Sequence, residues 1–128
     1  MSSLTPKTPL SGNLCVFESL RISEHVGSEL VSLTFVQGDE KKAKTLFKKH
    51  WKTPPPEPGH CVDIPGGHAL WAGPDQYFLL LDGENIDADR DIAAQFKETA
   101  YTTLQTDGWA MVNVIGETVH DALERFIP

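Results

Sequence analysis

Lys41, Lys42, Lys44, Lys48, Lys49 and Lys52 crowd twelve consecutive positions. Six like charges on one short segment repel, at a cost of about a few tenths of a kcal/mol per neighbouring pair on a helix. A solvated helix face tolerates that. An anionic partner, whether an acidic protein surface or a phosphate, would relieve it. Lys41, Lys44, Lys48, Lys49 and Lys52 are therefore the candidate partner-docking residues.

Two other clusters could hold a metal. His60, Cys61, Asp63 and His68 place three ligand types within nine positions. A zinc site normally offers closely paired ligands at both corners, and these alternate across a strand and a Gly-Gly turn. Asp87, Asp89, Asp91 and Glu98 sit at positions 1, 3, 5 and 12 of a calcium loop. That pattern fails at its sixth position, where Ile92 replaces the required glycine. Acidic residues at a helix start are explained by the helix dipole instead. The expectation is no metal site.

Motifs for nucleotide binding, hydrolytic nucleophiles and zinc proteases are missing: no G-x-G-x-x-G, P-loop, G-x-S-x-G or H-E-x-x-H occurs. No catalytic residue is assigned, and no cofactor-binding residue can be named.

The elements that must position these residues follow from periodicity. Residues 1–12, with two prolines, read as a flexible N-terminal arm. From Leu14 a strand pattern places Val16, Glu18, Leu20 and Ile22 on one face, and Leu30–Val36 reads as a second strand, with Gly27 as the turn between them. Asp39 is the expected N-cap of a helix whose apolar stripe is Ala43, Leu46, Phe47, His50 and Trp51. Pro54-Pro55-Pro56 ends it. Cys61–Ile64, Ala69–Trp71 and Tyr77–Leu81 read as strands, the last two joined by Gly73-Pro74-Asp75. A helix is expected over 89–102, burying Ile92, Ala93, Phe96 and Ala100. A strand over 109–115 and a helix with the stripe Val119, Ala122, Leu123 and Phe126 complete the chain. The expected class is α+β, an antiparallel sheet with helices packed on one face around a split β-α-β (ferredoxin-like) core, with 13–128 as a single domain.

Composition narrows the function classes. The chain has 128 residues, 40% apolar and 23% charged, which fits one globular domain. Its charge is polarised: residues 1–52 carry 8 basic and 5 acidic groups, and residues 53–128 carry 3 and 13. An overall charge of -7 argues against nucleic-acid binding. The longest apolar run, Tyr77–Leu81, is too short for a membrane span. Cys15 and Cys61 are too far apart to suggest a disulfide scaffold, so buried thiols are expected. A cytoplasmic location is the expectation.

The string Leu70-Trp71-Ala72-Gly73-Pro74-Asp75-Gln76-Tyr77-Phe78-Leu79-Leu80 resembles the Leu-Trp-x-Gly-Pro-Asp hairpin of the gamma subunit of heterotetrameric sarcosine oxidase. That subunit is related to the folate-binding domain of the glycine-cleavage T-protein. Asp107–Gly116 followed by Ala122-Leu123 is similar to the family's later strand, glycine break and helix. Tyr77 stands where the family pattern carries tryptophan. The family usually continues into a comparable second half, so the resemblance implies a half-length relative. It also implies a non-catalytic accessory subunit with no cofactor of its own. FAD, FMN, NAD and tetrahydrofolate would belong to larger partner subunits, which demethylate sarcosine oxidatively and pass the one-carbon unit to tetrahydrofolate. Two alternatives stay open: a stand-alone folate- or pterin-binding domain, and a self-associating relative that pairs with a second copy.

Overall fold

The computed structural model describes residues 7–127. In chain order its elements are β1 (Leu14–Val16), β2 (Leu20–Glu24), β3 (Ser28–Phe35), α1 (Glu40–Trp51), β4 (Cys61–Ile64), β5 (Gly67–Gly73), β6 (Gln76–Asp82), α2 (Ala88–Phe96), β7 (Ala100–Leu104), β8 (Val112–Gly116) and α3 (Val119–Leu123). A turn of 3-10 helix covers Thr106–Gly108. The described residues form a mixed α+β structure with two antiparallel sheets and three α-helices. It divides into two compact units. One runs from Gly27 to Gly108; the other joins the described residues up to Val26 with those from Trp109 onward.

The unit from Gly27 to Gly108 contains the buried core. Its sheet has the order β4-β5-β6-β3-β7, every neighbouring pair antiparallel. Period-2 alternation puts Val31, Leu33 and Phe35 on one face of β3, matched by Tyr77 and Leu79 on β6. Helix periodicity supplies the facing layer: Ala43, Phe47 and Trp51 from α1, and Ala88, Ile92 and Phe96 from α2. The rings interlock, with Phe47 and Trp51 centroids 4.5 Å apart and Phe35 and Tyr77 centroids 5.1 Å apart. Each fully buried large side chain contributes roughly 1.5–3 kcal/mol.

The helix expected over 89–102 stops at Phe96. Lys97 and Glu98 turn left-handed (φ 48° and 67°), and both the N–H and the hydroxyl of Thr99 donate to the Phe96 carbonyl. The threonines and tyrosine that follow favour a pleated backbone. Ala100–Leu104 accordingly pairs with β3 as an edge strand. Ala100 is buried as expected, but from a strand. Asp39 occupies the N-cap position of α1 without a side-chain capping bond. Its carboxylate takes Lys42 Nζ at 2.8 Å instead. His50, placed in the apolar stripe, is exposed at the edge of the Trp51 ring.

The second unit is a three-stranded sheet, β1-β2-β8, with α3 following β8. The single strand expected from Leu14 to Ile22 is two, folded back so that Phe17 N–H donates to the Leu20 carbonyl at 2.8 Å. The expected strand near Trp109–Ile115 forms as β8, which pairs with β2 and not with the larger sheet. The terminal stripe does not close, because α3 spans only five residues and Phe126 is 82% exposed. Of the expected arm, residues 1–6 lie outside the described residues. Residues 8–13 are turned, and Leu10 and Gly12 donate their N–H groups to the Glu24 carboxylate at 2.9 and 2.6 Å. Both cysteines are exposed, contrary to expectation, since Cys15 lies in a wholly exposed edge strand and Cys61 opens an edge strand.

Candidate docking groove

Helix α1 owes its local form to its ends. The Glu40 carboxylate reaches back to the Gly38 N–H at 2.8 Å, and this bond holds its pKa below the ordinary glutamate value. At the other end Lys52 adopts a left-handed conformation (φ 62°), and its N–H closes onto the Lys48 carbonyl. Proline then prevents any continuation. With Ala43, Phe47 and Trp51 committed to the core, Lys44, Thr45, Lys48 and Lys49 form an exposed flank.

The β5–β6 hairpin brings a second wall to that flank. Asp75 sits at φ 54°, the left-handed region that aspartate tolerates in tight turns, and its carbonyl accepts the Phe35 N–H at 2.9 Å. Its carboxylate lies 3.6 Å from Lys44 Nζ, joining hairpin to helix. Pro54–Pro58 completes the enclosure, and a groove of about 810 Å³ opens between them. Its lysine flank faces an apolar surface of Trp71, Tyr77, Pro74 and the proline segment. Burial, and secondarily the Asp75 charge, pushes the Tyr77 hydroxyl above its usual pKa, so it stays a neutral proton donor.

The predicted lysines are thus only partly gathered. Lys44, Lys48 and Lys49 line the groove. Lys41 is exposed outside it, and Lys52 directs Nζ to the Lys49 carbonyl at 2.9 Å. Lys44 is paired with Asp75, whereas Lys48 and Lys49 have no acidic partner among the described residues. Sequence reasoning placed Trp71, Pro74 and Asp75 in a hairpin without joining them to the helix. The signal was available only in part: both segments stand out, but their meeting depends on the sheet order.

The two metal candidates are arranged differently. His68 Nδ1 lies 2.9 Å from Asp63 Oδ1 across the β4–β5 pair, while His60 Nδ1 bonds to the Pro58 carbonyl. Asp87 pairs with Arg90, Asp91 accepts from Asn85, and Glu98 stands beyond the end of α2. Among the described residues no three His, Cys, Asp or Glu side chains converge as a metal-binding group. No helix among them is long and apolar enough to cross a membrane.

No protein-family model matches the chain, and no curated protein matches its sequence. Among solved structures, a chain of the heterotetrameric sarcosine oxidase from Corynebacterium sp. U-96, in complex with pyrrole 2-carboxylate, shares this fold with a TM-score of 0.67. The two are 17% identical, and the match covers 83% of this chain and 54% of the other. This chain therefore spans about half the length of the solved chain it resembles.

Proposed function

We propose that this chain is a non-catalytic accessory subunit of a sarcosine-oxidase-like flavoenzyme complex, docking on larger subunits through the groove beside α1. The fold shared with a chain of a heterotetrameric sarcosine oxidase carries this reading. In it, FAD, FMN, NAD and tetrahydrofolate sit in the partner subunits, and this chain supplies an interface within a cytoplasmic assembly. The strand order β5-β6-β3-β7, with α2 linking β6 to β7 across β3 and the chain passing from β3 through α1 and β4 to β5 on the far side of β6, supports reading the larger unit as a split β-α-β core with β4 as an added edge.

Co-expression with the large subunits of such a complex, followed by size exclusion with flavin absorbance monitored, tests the proposal. Co-elution in a yellow, sarcosine-oxidising peak is the expected result. A colourless peak of this chain alone would refute it.

One observation favours a second reading, self-association. Val16, Phe17, Ile115 and Phe126 are each at least 60% exposed, in a unit none of whose described residues joins the buried core. Apolar surface of that kind marks an interaction site. Sedimentation across a concentration range decides this reading: a monomer throughout removes it. The folate- or pterin-binding alternative is tested by titrating the isolated chain with a reduced folate.

A further inference from the structure

We infer that the groove between α1 and the β5–β6 hairpin receives an acidic peptide segment from a partner protein, anchored by an aromatic or large aliphatic side chain. The inference rests on the docking reading above and adds the chemistry of what docks.

The two walls differ in a way that selects the occupant. On one side Lys48 and Lys49 offer cations with no acidic partner among the described residues, while Lys44 is already held by Asp75. On the other side the surface is the half-buried Trp71 with the exposed Pro54, Pro58 and Pro74, backed by the buried Tyr77. Pro54, Pro55, Pro56, Pro58 and Pro74 carry no backbone N–H. Those five positions therefore offer no amides to a phosphate and no hydrogen-bond donors to an added strand. What they offer is apolar contact, suited to a ring or branched aliphatic group.

A small-molecule pocket needs convergent, oriented polar groups in an enclosed cavity. Long exposed lysines instead suit carboxylates on a segment that can adjust its register. The surrounding charge adds direction: residues 53–128 carry 13 acidic and 3 basic groups, so an acidic segment is repelled elsewhere and steered to the lysine flank. Glu57, exposed on the groove's rim, opposes an acidic occupant there and sets its register.

The test titrates the full chain with a short synthetic peptide of glutamates around one phenylalanine, followed by amide NMR. Shifts confined to Lys48, Lys49, Glu57, Trp71 and Asp75 are expected, weakening as salt is raised. Lys48→Gln with Lys49→Gln should weaken binding about tenfold, the sum of two exposed charge pairs. Glu57→Lys should strengthen it about two- to fivefold, a gain that a misfolded variant cannot imitate. Equal binding of a peptide with serine in place of phenylalanine would overturn the anchored-segment inference. So would competition by inorganic phosphate, which would mark a simple anion site, or the same shifts arising from protein concentration alone, which would assign the groove to a second copy. Absence of peptide binding, with assembly still dependent on Lys48 and Lys49, would overturn this inference and leave the subunit reading standing.

Discussion

Lys44 on α1 and Asp75 at the tip of the β5–β6 hairpin meet at 3.6 Å, their side chains 53% and 38% exposed. The contact joins the lysine helix to the Leu-Trp-x-Gly-Pro-Asp hairpin and sets one wall of the groove. At that exposure the ion pair itself contributes about 0–1 kcal/mol. Its significance is positional: it spends one lysine and leaves two for a partner.

Asp75 should matter more for its backbone than for its charge. Asp75→Gly is expected to leave stability within about 0.5 kcal/mol, because glycine accepts the left-handed conformation. Asp75→Val should cost about 1–2 kcal/mol, since a β-branched side chain is strained there. Chemical denaturation of the three proteins checks this; equal stability of the glycine and valine variants would contradict it.

Gly67 is the most tightly enclosed glycine in the larger unit. A Cβ there would lie 2.0 Å from the Leu80 carbonyl oxygen, at φ +151°. Gly67→Ala should destabilise by about 3 kcal/mol or more, because the β5–β6 pairing must open. A melting temperature unchanged from the parent would show that the two strands do not pair in this register.

The Glu24 carboxylate ties down the turn at residues 8–13. Desolvation pushes its pKa up, but the Leu10 N–H, the Thr8 side chain and the Gly12 N–H together more than offset this and hold it below the ordinary 4.5. A depressed folded-state pKa adds stability above the unfolded value, and that stability is lost as pH falls through the folded one. NMR titration should therefore place the Glu24 midpoint below 4.5, with the Leu10 and Gly12 amides losing exchange protection over the same interval. A midpoint at or above 4.5 would contradict the assignment.

Much of the larger unit was legible because its signals were local. Helix α1 with its Ala43, Phe47 and Trp51 stripe, the Pro54–Pro56 stop and the Gly73-Pro74-Asp75 turn each depend on a few neighbouring residues, and each formed where the sequence placed it, with His50 the exposed exception. Lys97 and Glu98 hid the end of α2, because neither is a glycine and both occupy the left-handed region at a cost that only tertiary packing repays. That error displaced the last strand of the larger sheet by about one element, from Ala100–Leu104 to β8. The groove was half legible. Lys44, Lys48 and Lys49 stood out by charge, while Trp71 and Asp75 joined them through sheet order, which no local pattern encodes.

The isolated lysine substitutions should separate docking from folding. Lys48→Glu with Lys49→Glu sits in the last turn of α1, where added negative charge costs about 0.3–1 kcal/mol each through the helix dipole. The double variant should remain folded, with a modest fall in melting temperature.

The most direct measurement is the affinity of this chain for purified large subunits of a sarcosine-oxidase-type complex, parent against Lys48→Glu/Lys49→Glu, by calorimetry at low salt. The account predicts that the parent binds and that the variant, still folded by circular dichroism, binds at least about tenfold more weakly. Equal affinity of parent and variant, or no binding by the parent, would contradict it.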